Sequence, residues 1–232
     1  MGGITISDKV ATGQAAGTTL TQTITNNASA NTMMHASVQG LSATLTNRTA
    51  ISVKAAGTNM TKYCVHDDPT GTLQGSMWYL LSPPTGAVSV IVTFGASASG
   101  SAVSLTTWNG VQQSGQPDST NAVTYTTETN PSITNTCVAA NCLLTGNMIK
   151  NLTTGSLTAG GGQTVLSNAA VGTGWWGEDD YALNVPTGTN IFTYTFSLTS
   201  PNSVQLGAFV PAATSTSSPQ ANSDLRLMGV GQ

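Results

Sequence analysis

Charge is nearly missing from this sequence. Only 6% of its residues are Asp, Glu, Lys or Arg, against roughly 25% in an ordinary soluble domain. The six cations, Lys9, Arg48, Lys54, Lys62, Lys150 and Arg226, stand singly, and the formal net charge is −3. That leaves no basic footprint for nucleic acid. Long apolar runs are also missing. Met77-Trp78-Tyr79-Leu80-Leu81 is strand-sized and far short of the roughly 18 residues of a membrane-spanning helix. The N-terminus, Met1-Gly2-Gly3-Ile4-Thr5, lacks the basic-then-apolar pattern of a secretory leader. It reads as a mature form with an added Met, or as a chain kept as written. With two histidines and neither G-x-S-x-G nor H-E-x-x-H, the sequence supports neither a hydrolase elbow nor a zinc protease.

What is present is neutral polarity on a β-forming background. Hydrophobic residues make up 39% of the 232 residues, too many for a disordered chain. Thr19–Ile24, Ala87–Phe94 and Ile191–Leu198 alternate apolar with polar residues, as strands with one buried face do. Turn segments separate such runs: Asp68-Pro69-Thr70-Gly71, Ser82-Pro83-Pro84-Thr85-Gly86, Trp108-Asn109-Gly110, Pro186-Thr187-Gly188. About fourteen short strands are expected at sandwich-like spacing. No window carries a capped i, i+3, i+4 apolar stripe, which argues against parallel βαβ units. The expected fold is all-β: one antiparallel two-sheet sandwich of jelly-roll type over residues 1–211, without a clear internal repeat, followed by an extended arm over 212–232. The arm runs polar through Thr214-Ser215-Thr216-Ser217-Ser218, then gathers Leu225, Leu227, Met228 and Val230. That order suggests assembly by docking on another chain or on its own sandwich; the alternative is a frayed terminus.

Several segments together resemble a β-sandwich module of phage structural proteins and of bacterial and archaeal surface proteins. They are Ile51-Ser52-Val53 with Gly57-Thr58-Asn59-Met60-Thr61-Lys62; Met77-Trp78-Tyr79-Leu80-Leu81-Ser82-Pro83-Pro84-Thr85-Gly86; Gly110-Val111-Gln112-Gln113; Gly162-Gln163-Thr164-Val165-Leu166; and Leu206-Gly207-Ala208-Phe209-Val210-Pro211-Ala212. The set runs in order from about Thr19 to Ala212. The resemblance implies the sandwich fold. It transfers no catalytic residue, and fold alone does not assign an activity. Gln112 stands where the module often has Asp, and the cysteine pair and the Gly-Trp segment are further departures.

The candidate binding residues are Trp175 and Trp176 with Glu178, Asp179 and Asp180, in a Gly-rich segment expected to be a loop at one end of the sandwich. Exposed aromatic faces suit sugars or protein partners; the alternative is burial as loop anchors. The acids there, and Asp67-Asp68, would suit Ca²⁺, a hard ion with oxygen ligands, or are solvated loop charge. No other cofactor and no metal site is expected. Gly172-Thr173-Gly174-Trp175-Trp176-Gly177 matches G-x-G-x-x-G, but it opens no helix and the acids follow at once, so it is not read as a phosphate loop. Trp78 and Trp108 are expected in the core. Cys137 and Cys142 bracket a four-residue turn, where a hairpin would set them within disulfide reach; two buried thiols are the alternative. Cys64 is expected as buried filler.

The functional expectation is a non-enzymatic virion structural protein, exposed on the particle surface as a phage capsid decoration or similar component. Its partners would be other virion proteins, in a homo-oligomer or lattice, and not nucleic acid or membrane. The alternative is a glycan-binding or adhesin module.

Overall fold

A computed structural model describes residues 3–13, 15–27, 29–151 and 157–213. The arm residues Leu225, Leu227, Met228 and Val230 lie outside them. The described chain is all-β with antiparallel pairing throughout, as expected, and α1 (Leu45–Arg48) is its short helix. The strands form four sheets instead of two.

The first inner sheet has the order β1 (Thr5–Thr12), β9 (Gly100–Asn109), β3 (Met33–Leu41), β7 (Leu73–Leu81), β6 (Thr61–Asp67). The first outer sheet is β2 (Gly17–Asn26), β8 (Gly86–Ala98), β4 (Ala50–Ala55), β5 (Thr58–Asn59). The second inner sheet is β10 (Ser119–Glu128), β17 (Ser200–Phe209), β12 (Cys142–Asn151), β15 (Trp175–Val185), β14 (Thr164–Gly172). The second outer sheet is β11 (Ser132–Cys137), β16 (Gly188–Phe196), β13 (Leu157–Ala159).

The two halves share one topology. Replacing β1, β9, β3, β7, β6 by β10, β17, β12, β15, β14 reproduces the inner sheet, and β2, β8, β4 become β11, β16, β13. The strand order therefore repeats where the sequence had shown no clear repeat. One local signal of it is written in the residues. Ser82-Pro83-Pro84-Thr85-Gly86 joins β7 to β8, and Asn184-Val185-Pro186-Thr187-Gly188 joins β15 to β16. In both, the first residue is left-handed (φ 49° and 56°) and so is the final glycine (φ 89° and 98°). Pro-Thr-Gly thus carries the chain from an inner sheet to an outer one at equivalent places.

Hydrophobic clusters fill each gap between layers. Met34, Ala36, Val38 and Leu105 of the first inner sheet pack on Ile24, Val53, Val90 and Phe94. Leu144, Met148 and Leu206 pack on Ile133, Phe192, Tyr194 and Phe196. The inner sheets meet face to face, with Met33 and Trp108 against Leu143 and Phe209 at one end, and Leu73 and Ala102 against Ile149 and Val171 at the other. Trp78 and Trp108 are core residues, 4% and 0% exposed. A two-sheet sandwich has one core gap. Here the inner strands are covered on both faces, and the alternation that would mark a solvent side is lost: β3 and β12 are buried almost without interruption.

Candidate functional site: an acidic strand and a cleft

Strand β15 carries the residues expected in a loop. Trp175 and Trp176 are half-buried within it, and Glu178, Asp179 and Asp180 are buried at 1%, 4% and 0% exposure. The loop is instead a hairpin: β14 turns at Thr173-Gly174 into β15, with Gly174 left-handed (φ 85°). The G-x-G-x-x-G match is that turn. Gly177 does not punctuate a loop; a Cβ there would lie 1.8 Å from Gln39 Oε1, because the Gln39 side chain crosses from the facing sheet onto the bare backbone.

Alternation along β15 sends its residues to opposite gaps. Trp175 and Tyr181 pack between the inner sheets, and so does Asp179, whose Oδ1 accepts from Asn147 Nδ2 at 2.8 Å. Gln205 Nε2 donates to Asn147 Oδ1 at 3.1 Å, and a Cβ on Gly75 would fall 2.3 Å from the same Gln205 nitrogen. His35 Nε2 meets Tyr63 Oη at 2.7 Å, and Tyr63 Oη meets Thr145 Oγ1 at 3.0 Å. The middle of the interface is thus a polar seam, with apolar clusters at both ends. Burial pushes the His35 pKa down to about 3, so its ring is neutral. Burial raises Asp179 to about 6, against the pull of Ser37, Asn147 and Ser104.

Glu178 and Asp180 face the other gap. Asp180 Oδ1 accepts from Tyr194 Oη at 3.0 Å, and Gln163 Nε2 donates to its Oδ2. Glu178 Oε2 accepts from Asn168 Nδ2 at 2.8 Å, while its Oε1 has no partner among the described residues. Burial raises Asp180 to about 7. Glu178 goes to about 8, through burial first and then its acidic neighbours. Lys150, 2% exposed, lies 5.0 Å over the Phe196 ring and pulls Glu178 the other way. These acids are interior groups held by side chains from outside β15, with one Glu178 oxygen left unpaired among the described residues.

The other candidates are also held in local structure. Asp67 pairs with Arg48 at 2.9 Å. Asp68 Oδ1 accepts the Thr72 and Leu73 amides at 2.8 and 2.6 Å, closing its own turn. Among the described residues, no group of three or more His, Cys, Asp or Glu is placed to hold a metal ion. Cys137 and Cys142 do not oppose each other across a hairpin. Cys137 pairs with Gly188 in the second outer sheet, and Cys142 with Val185 in the inner one. Their connection is an arch between layers, turned by left-handed Asn141 (φ 61°). The thiols are free and close enough to hydrogen-bond, and burial pushes Cys137 up to about 12. Cys64 is also free and half-buried.

A feature the sequence did not reveal is a cleft of about 350 Å³ at the β15–β16 end of the second sandwich. Its floor is Leu144, Ala182, Val185 and Phe192, with Gln163 and Asn184 on the rim. It opens where the second outer sheet is too short to cover the inner one: β4 follows β8 over Val90–Phe94, but β13 follows β16 only over Tyr194–Phe196.

No family profile, curated protein sequence or solved structure matches this chain.

Proposed function

We propose that this protein is a virion structural protein, a capsid decoration or similar particle-surface component acting by assembly with other proteins. The observation that carries the reading is the chemistry of the two outer sheets. Their seven strands contain one charged residue, Lys54. Thr19, Thr21, Thr23 and Thr25 are exposed in a row on β2, and Thr134, Thr136, Thr189, Thr193 and Thr195 with Ile191 cover the second outer face. Such faces pack against neutral neighbours without the desolvation cost of buried charge, and copies of one chain can lie side by side without repulsion. The resemblance to phage structural modules supports the same reading, as does the seam that holds the two halves together. The parent phage particle offers the test. Quantitative mass spectrometry of purified particles should find the chain at a fixed ratio to the capsid protein. Thr193→Lys, on the exposed outer face, should lower that ratio with the melting temperature unchanged. Absence from particles, together with binding of the isolated chain on a glycan array, would move the function to the adhesin alternative, for which half-buried Trp176 is the remaining aromatic candidate.

A further inference from the structure

The cleft borders an open sheet edge. Along β16, Tyr194 and Phe196 donate their amides toward the β11 side, to Pro131 O at 3.0 Å and Thr129 O at 2.8 Å. Thr193 faces the other way: its carbonyl accepts from Gly160 N at 2.8 Å and its amide donates to Gln163 Oε1 at 2.9 Å. Antiparallel pairing repeats this alternation every two residues. The N–H and C=O groups of Ile191 and Thr189 therefore also point away from β11. No described strand meets them there, because β13 ends at Ala159 and the chain turns off the sheet at Gly160. Beside that edge lies the apolar floor of the cleft, flanked by Ile191 at 58% exposure. An unpaired edge next to side-chain pockets is the geometry of strand addition.

We propose that residues Leu225–Val230 of this same chain add as a strand to the Gly188–Phe192 edge of β16 and seat alternate side chains, Leu225 and Leu227, in the cleft. The exit of the C-terminal segment supports an intramolecular partner. Pro211 still pairs with Val111, and Ala212 N donates to Gly110 O at 2.7 Å. A Cβ on Gly110 would lie 3.1 Å from the Gly3 carbonyl, and one on Gly3 would lie 3.1 Å from Asn184 Oδ1 on the cleft rim. The segment thus leaves the body at the cleft's own end. About a dozen residues separate Ala213 from Leu225 and reach roughly 40 Å when extended, and a tether of that length holds the apolar piece at about millimolar effective concentration. Docking would give Ile191 and Thr189 their missing partners and cover Leu225 and Leu227. The inference does not depend on the virion reading, since it concerns only the chain's own surface.

Hydrogen–deuterium exchange on the full chain tests it. The amides of residues 225–230 and of Ile191 should exchange at least tenfold more slowly than unstructured amides, and this protection should survive about a hundredfold dilution. Ile191→Pro removes the N–H that faces the open edge and leaves the β11 ladder intact, so it should abolish protection of 225–230. Ala182→Asp, which puts a charge in the cleft at a partly exposed position, should do the same. Leu45→Asp, on an exposed residue of the first sandwich, should change nothing. Fast exchange of 225–230 in the unaltered chain would overturn the proposal. So would protection lost on dilution, which would make the partner a second copy, or protection that persists in a folded Ala182→Asp protein.

Discussion

At the residue scale, the unusual feature of this protein is that several of its few charges are interior. Asp179, Asp180, Glu178, Lys150 and Arg48 are each at most 7% exposed. A carboxyl whose pKa is raised in the folded state binds protons that the unfolded chain releases. Its stabilising contribution is fully present below the ordinary carboxyl pKa of about 4 and is lost as pH rises through the folded value. For Asp180 and Glu178 that value is about 7 and about 8. His35, lowered to about 3, acts with the opposite sign, but only below the ordinary histidine pKa of about 6.5. The melting temperature should therefore fall between pH 6.5 and 8.5, by about 5 °C on the usual scale of roughly 2–4 °C per kcal/mol for a chain this long. Glu178→Gln should flatten the slope; an equal slope in that variant would show that other groups cause it. The seam's glycines give a second expectation. At Gly75 an added methyl meets Gln205 and Asn147 within 2.4 Å, and overpacking of this kind costs about 1–3 kcal/mol. Gly75→Ala should lower the melting temperature by several degrees, whereas Gly161→Ala, with open space around it, should not. Core tryptophans such as Trp78 were legible in the sequence because they sit in apolar runs. The buried acids were not, because three adjacent charges normally stay in water. What keeps these inside is Asn147, Tyr194, Gln163 and Lys150, brought to them by tertiary structure.

At the element scale, legibility followed exposure. The outer strands β2, β8 and β16 each keep one wet face, and their alternation was plain. The inner strands β3, β12 and β17 are covered on both sides and carry no such period, so the sequence could not assign them to layers. Their polar residues, among them Ser37, Gln39, Asn147 and Gln205, are buried in the seam. The paired Pro-Thr-Gly arches are the local device that sets the layering. Their glycines, Gly86 and Gly188, have no atom within 4 Å of an added Cβ. Substitution there strains the backbone alone, at about 1–2 kcal/mol for a left-handed position. Gly86→Ala and Gly188→Ala should lower the melting temperature by similar amounts. A loss confined to one of them would mean that the two arches do not bear equivalent roles.

For the whole molecule, the question is whether two halves that share the same strand order, apart from the extra β5, unfold together. The seam argues that they do. Separation would expose the Met33–Trp108–Leu143–Phe209 cluster, part Tyr63 from Thr145, and part Asp179 from Ser37 and Ser104, and an unmade buried hydrogen bond costs about 1–3 kcal/mol. Tryptophans lie in both halves, so fluorescence and far-ultraviolet circular dichroism should trace one coincident transition. Two resolved steps would mean that the seam is weaker than either sandwich.

The strand registers also give the molecule a polarity. Cys142 pairs with Val185 at one pole, beside Gly3, Pro211 and the cleft, while Asn151 pairs with Trp175 at the other. The chain thus enters and finishes its body at a single pole, and the Thr173-Gly174 hairpin tip occupies the far one. Cargo fused directly after Ala213 would emerge beside the cleft and compete for the space around it. A short epitope spliced between Thr173 and Gly174 would stand at the pole opposite Gly3 and Pro211, on an exposed tip of the kind that best tolerates insertion. As a scaffold for presenting foreign peptides, the protein is better opened in its interior sequence than extended at its ends.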